Sequence, residues 1–504
     1  MSRLHPIVFW LAGVKLAFHL LIIRGYGWFR DEFYYIACGE RLDWGYVDHP
    51  PLVAVVTATT RFLLGESLVA IRLPAALAGA ATIVVAGLLA HELGARRYGQ
   101  SLAALAVLAA TIYLPLHHIL SMNAWEPLLW SGVALFVLRG LDRGRAREWV
   151  YAGVVAGIAL QNKHSMLFYG FALLVGLMLS PARRVLLTRG PWLMGLTAAA
   201  IFLPNIIWEV RHGWPTLEFM QHARAHKNVA LPPVAFVVQQ VLIMNPVNAI
   251  VWVTGLWWLL AATSARGWRF LGWGYLTVLT VLVVTGGKDY YLVPYYPMLF
   301  AAGGVAIEHW TAAGQRWRMV RVALPASMLL VGVLAAPLAA PVLPVDAYIR
   351  YANAAGIQPA PSERHQVGAL PQFFADMFGW HELVEEVSRV ARTLPSADRA
   401  RAVVVARNYG EAGAINFLGR RAGAPLAISG HNNYWLWGPG PATRDVLLIL
   451  GGRREDHDEC GSLVQGGTVA CGNCMPYENN QPVWICRDLK VSIEEAWQAA
   501  KSFN

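Results

Sequence analysis

The sequence predicts a mainly α polytopic membrane protein with a C-terminal soluble α/β domain. Its 504 residues are 56% hydrophobic and 14% charged, where soluble proteins carry about a quarter charged residues. Apolar runs of membrane-spanning length recur along the first two thirds of the chain, and arginines cluster between alternate runs. The net charge of +10 then reflects loop arginines, not nucleic-acid binding. No nucleic-acid motif is present.

The apolar runs fall near 6–23, 70–90, 98–117, 121–139, 149–162, 165–181, 192–208, 240–263, 270–286, 292–308 and 322–343, so about eleven transmembrane helices are expected. The first contains Lys15 and lacks a small-residue cleavage site after it, which reads as a retained helix and not a signal peptide. The uncharged stretch 229–265 is too long for one span and is broken by Pro232, Pro233 and Asn245-Pro246. Its first part is expected to lie at the interface.

Arg96 and Arg97, Arg139 to Arg147, Arg183 to Arg189, Arg266 and Arg269, and Arg316 to Arg321 occupy every second loop. Those loops are expected to be cytoplasmic. The N-terminus is then inside, and the first loop and everything beyond about Pro344 are outside. Two domains follow, a membrane domain over 1–343 and an external α/β domain over 344–504.

In the tail, 402–406 reads as a strand, a helix is expected to begin near Glu411, and "DVLLIL" at 445–450 reads as a second strand closed by Gly451-Gly452. Gly410 and Gly413 form an incomplete phosphate-loop pattern, better explained as a structural turn. Four of the five cysteines (Cys460, Cys471, Cys474, Cys486) lie in this tail. Outside the cell they suggest two disulfides, with a zinc knuckle at Cys471-Gly-Asn-Cys474 as the rival.

The outward loops carry an unusual set of groups. The stretch "GYGWFRDEFYYIACGERLDWGYVDHPPL" supplies Arg30, Asp31, Glu32, Asp48 and His49. Later loops supply His117, His118, Asn123, Glu126, Lys163, His164, His222, Arg224, His226, Lys227, Lys288 and Asp289. A charge inside the bilayer costs about 2.5 to 3.5 kcal/mol at mid-depth, so such groups are usually paired or functional. Glu126, inside the fourth expected span, is the strongest case. Tyr34, Tyr35, Tyr290, Tyr291, Tyr295, Tyr296, Trp28 and Trp44 suit either a substrate cavity or an interfacial belt, and Tyr34 and Tyr35 adjoin the acids.

A first outer loop reading "RDEFYY" followed by "GYVDHPPL" resembles the GT-C superfamily of integral membrane glycosyltransferases. The closest likeness is to bacterial relatives of protein O-mannosyltransferases and aminoarabinose lipid A transferases. Similar stretches recur in "LQNKHSMLFYG" (160–170), "GKDYYLVPYYPML" (287–299), "PQFFADMFGWHELV" (371–384), "RNYGEAGAINFLG" (407–419) and "SGHNNYWLWGPG" (429–440). The resemblance implies a GT-C-like catalytic domain and a periplasmic tail, in the bacterial inner membrane. It implies sugar transfer from a polyprenyl phosphate carrier to a glycolipid, glycan or protein acceptor. Asp31 corresponds to the general base and Glu32 to its partner, which either helps at the site, in acceptor or metal binding, or pairs with Arg30 or Arg41. The leaving phosphate needs positive charge, for which Lys163, Lys288, Arg224 and Lys227 are candidates. Asp48 stands where aminoarabinose transferases place a metal-associated carboxylate, but His49 replaces the lysine that follows there. His49 then binds phosphate or joins a divalent-metal site with Asp48 and His222 or His226. In "SMNAWEPLLW" many relatives carry an aspartate, for which Glu126 substitutes beside Asn123. The reading from a different class is a transporter or flippase, whose charges should line a path through the bilayer and not gather at one face.

Overall fold

The computed structural model describes residues 4–227, 231–312, 314, 317–359, 365–443 and 445–504; the side chains of His226 and Lys227 lie outside the described residues. Each of the eleven apolar runs is helical over most of its length. Among the described residues, Leu68–Glu92, Arg189–Arg211, Thr263–Thr285 and Arg318–Ala339 are long and apolar enough to cross a membrane, and two sharply bent pairs raise the number to as many as six.

The bends follow from the residues at the breaks. Pro233–Ile243 and Asn248–Ala261 meet at 116°, across Asn245-Pro246, where proline removes a helical donor. Asn245 adopts φ 72°, and its amide donates to the carbonyls of Ala109 (3.1 Å) and Met328 (3.0 Å). A polar break inside the apolar bundle is thereby satisfied by neighbouring helices. Close packing elsewhere depends on small residues: a Cβ on Gly255 or Gly303 would collide with the carbonyl of Leu299 or Val251 on the facing helix. Tyr295 and Tyr296 are buried in this bundle, hydrogen-bonded to Leu271 O and Gln240, and so belong to its core and not to an interfacial belt.

Two helices that apolar periodicity does not announce occupy the opening loop, Arg30–Glu40 and Leu52–Leu64. Residues of both share one hydrophobic core with the tail: Phe33, Tyr34, Ile36, Cys38, Val53 and Ala54 pack with Trp380, Leu383, Val404, Tyr409 and Ile415. The opening loop is thus built into the tail's core.

The tail contains a five-stranded mixed sheet. Strands β1 (Val403–Ala406), β2 (Ala427–Ser429), β3 (Val446–Leu450), β4 (Cys460–Val469) and β5 (Gln481–Leu489) run in the order β2-β1-β3-β5-β4. β1 pairs in parallel with β2 and β3, while β5 is antiparallel to β3 and β4. The helix expected near Glu411 spans Tyr409–Leu418 and starts earlier because Asn408 caps it by accepting from Glu411 N. Both tail cysteine pairs are disulfides, Cys460–Cys486 tying β4 to β5 and Cys471–Cys474 closing the four-residue turn. Cys38 is the free, buried thiol.

Candidate active site

The adjacent acids Asp31 and Glu32 project about 100° apart on the first turn of Arg30–Glu40, and this separation decides their states. Glu32 is fully buried. It accepts from Phe29 N (2.9 Å), Leu120 N (3.1 Å), and Arg72 Nε and Nη2 (2.8 Å each). The expected partners Arg30 and Arg41 are therefore replaced by Arg72, 40 residues along the chain. Arg72 also donates to the carbonyls of Ile23 and Gly27 and faces His118. Its signal in the sequence is the lone guanidinium within the apolar run 68–92, a placement too costly to leave unpaired.

Asp31 lies on the accessible side, with its side chain 28% exposed. It accepts a 2.9 Å hydrogen bond from the Tyr409 hydroxyl and lies 3.5 Å from Arg30 Nε. Arg30 is itself held by the tail: its guanidinium donates to Tyr477 Oη (2.8 Å) and approaches Asp376 (3.8 Å). Helix Tyr409–Leu418 comes this close because Gly410 and Gly413 face Arg30 and Phe33. A Cβ at 413 would stand 2.8 Å from that of Phe33. The glycines of "RNYGEAG" thus serve helix packing and not phosphate binding.

Beyond Asp31 lies an aromatic ladder. Tyr409 stacks between Tyr34 (4.5 Å) and His431 (4.6 Å), and Tyr34 donates to Asp48 at 2.7 Å. Burial holds the Tyr34 and Tyr409 hydroxyls well above the usual phenol range, with nearby Asp48 and Asp31 acting in the same direction. Both therefore remain donors at neutral pH. Burial also raises the Asp48 carboxyl, opposed by His49 and the Tyr34 bond. His49 is buried, stacked on Tyr46 at 4.7 Å, with Nδ1 2.8 Å from Pro50 O and Nε2 3.8 Å from Cys38 Sγ. Burial pushes its pKa down. Backbone Val47 N is fixed by Asn433 of "SGHNNYW" at 2.6 Å.

The cations are placed differently from one another. Lys163, a candidate for the leaving phosphate, donates to Asn123 (2.6 Å) and Glu126 (2.9 Å) and lies 4.5 Å from the Tyr291 ring centre. Asn123 and Glu126 together hold this lysine, and Ser165 holds the carboxylate from the other side. Glu126 opens helix Glu126–Arg143 instead of lying within it. Lys288 lies 5.9 Å from the Tyr290 ring centre, close to the same tyrosine pair. His164 contacts Asn205 at 3.1 Å, and Asn205 donates to Trp44 O, tying the lysine loop to the segment that carries Asp48. Arg224 is exposed in the turn 223–227, and Lys227 and His226 fall outside the described side chains.

Of the donors expected for a divalent site, His226 lies outside the described side chains and the others face protein atoms. Asp48 is engaged by Tyr34, both His49 nitrogens face protein atoms, and His222 Nδ1 faces Phe503 O at 3.0 Å. Among the described residues no three His, Cys, Asp or Glu side chains converge as metal ligands.

Crystal structures of ArnT from Cupriavidus metallidurans, bound to undecaprenyl phosphate and in the apo state, superpose with TM-scores of 0.61 and 0.62 at 16% identity. Each match covers 95% of this chain and 98% of the other. The fold is GT-C. The Archaeoglobus fulgidus oligosaccharyltransferase matches this GT-C fold with a TM-score of 0.50 at 11% identity, over 82% of this chain and 64% of that one. Residues 48–208 match the family Dolichyl-phosphate-mannose-protein mannosyltransferase, a segment that begins at Asp48 and contains Arg72, Glu126 and Lys163. No curated protein sequence matches the chain. Sequence motifs pointed to Asp31, Lys163 and the tail stretches, but Arg72, Tyr409, Tyr477 and Asn433 acquire roles only through contacts 40 or more residues apart in sequence.

Proposed function

We propose that the chain transfers a sugar from a polyprenyl monophosphate carrier to an acceptor hydroxyl or phosphate at the periplasmic face of a bacterial inner membrane. In this reading the N-terminus is cytoplasmic, residues 1–343 form the catalytic membrane domain and 344–504 a periplasmic domain. The observation that carries it is the asymmetry of the acid pair: Glu32 is saturated by four hydrogen bonds, whereas Asp31 is accessible and oriented by Tyr409 and Arg30. A carboxylate in that state can accept a proton from an acceptor hydroxyl.

The acceptor oxygen attacks the anomeric carbon as its proton passes to Asp31. The bond from that carbon to the phosphate oxygen breaks, and the phosphate leaves with the electron pair. Direct displacement inverts the anomeric centre. Lys163, steadied by Glu126 and Asn123, and Lys288 meet the charge that develops on the phosphate. Arg224 is a further candidate cation, as is Lys227, whose side chain lies outside the described residues. Glu32 acts through Arg72 as a positioning residue that fixes the first turn and hence Asp31. The undecaprenyl phosphate bound to the Cupriavidus metallidurans ArnT structure supports a polyprenyl phosphate as donor carrier.

Purified protein given radiolabelled polyprenyl phosphate sugars and membrane-derived acceptors should turn them over. An Asp31→Asn variant that transfers as fast as the native protein would overturn the base assignment, and no turnover with any such donor would overturn the class.

A further inference from the structure

A cavity of about 280 Å³ lies between helix Arg30–Glu40 and the tail, and Asp31, Asp48 and Lys163 do not line it. At about 100° per residue, Asp31, Tyr35 and Cys38 share one face of that helix. Phe33, Ala37 and Glu40, which line the cavity, share the opposite face. It is therefore separate from the candidate active site.

Its walls combine aromatic surface with charge. Phe417, Tyr434 and Trp437 line it, with Tyr434 and Trp437 edge to face at 4.9 Å. The Arg41 guanidinium lies 4.5 Å from the Trp437 ring centre and makes no ion pair with a carboxylate among the described residues. Arg420 reaches Glu40 at 2.7 Å, and Glu40 is shared with Arg61 at 3.0 Å. Guanidinium groups outnumber carboxylates at the rim. Tyr434 contributes its ring to the wall, while its hydroxyl is turned into the protein beside Asn416.

We propose that this cavity is a second, non-catalytic binding site for an anionic saccharide ring. Aromatic faces take the apolar face of a pyranose, and Arg41 with Arg420 takes a carboxylate or phosphate on the sugar. The inference goes beyond the transfer reaction and does not depend on Asp31.

The test is isothermal titration calorimetry on the full chain in detergent, both native and Asp31→Asn, with tetragalacturonate as the acidic probe and maltotetraose as the neutral one. Tetragalacturonate should bind both proteins equally, and maltotetraose at least fivefold more weakly. Trp437→Ala should weaken tetragalacturonate binding at least tenfold, and Arg41→Gln at least fivefold. No binding to the native protein, or binding by Trp437→Ala and Arg41→Gln equal to the native, would overturn the proposal. So would competition by phosphatidylglycerol vesicles with no saccharide binding, which would assign the cavity to a lipid headgroup. Saccharide binding without sugar transfer would sink the proposed reaction alone, and transfer without saccharide binding would sink this inference alone.

Discussion

The Tyr409 hydroxyl donates to the Asp31 carboxylate at 2.9 Å while its ring stacks 4.5 Å from Tyr34. A residue of the C-terminal tail thereby completes the surroundings of an acid near the start of the chain. The tail is part of the candidate active site and not an appendage to it.

Asp31→Asn is expected to lower kcat by 10²-fold or more, the range for losing a general base, with unchanged thermal melting. Tyr409→Phe keeps the stack but removes the hydrogen bond, and should lower kcat about tenfold, the scale of a bond to a charged group. Steady-state transfer assays alongside melting curves check both.

Glu32 and Arg72 form a buried, bidentate pair, so removing one partner leaves an uncompensated charge worth about 3 to 5 kcal/mol. Glu32→Leu and Arg72→Met should each melt far below the native protein, and the double variant should recover much of the difference. Glu32→Leu melting like the native protein while losing all transfer would assign Glu32 to catalysis instead.

Lys163→Met should raise the KM for the lipid-linked donor at least tenfold, because the cation is lost and Glu126 is left unpaired. Glu126→Gln keeps the shape and should give a smaller increase. An increase confined to the acceptor KM would move Lys163 away from the donor phosphate.

Glu478 in the tail is buried, and burial, together with Asp376 and Glu411, raises its carboxyl well above the ordinary 4.5. A carboxyl raised on folding is protonated in the native state over a range where it ionises on unfolding. The native state then holds more protons, and stability falls as pH rises from about 4.5 towards the folded pKa. Glu478→Gln should therefore raise the melting temperature at pH 7 and remove part of this pH dependence. A pH–melting profile unchanged by the substitution would contradict it.

Much of the architecture was legible in the sequence. The apolar runs gave the helices because each buries its own backbone bonds and needs only length and composition to be recognised. The Asn245-Pro246 break and the strands at 403–406 and 446–450 were visible for the same local reasons. Helices Arg30–Glu40 and Leu52–Leu64 were not, since the first has little apolar periodicity and depends on the tail for its partners. The fate of Gly410 and Gly413 was also hidden, because a close helix contact and a phosphate turn use the same residue type.

What the sequence determined alone is the class of molecule, an apolar helical bundle with charges collected on a few loops, together with the pairing of Asp31 beside Glu32. Only the tertiary structure decided which of the two acids is accessible. Adjacent helical residues point in different directions, and it is Arg72 and Leu120 on one side and Tyr409 on the other, brought together by packing, that bury one carboxylate and leave the other open.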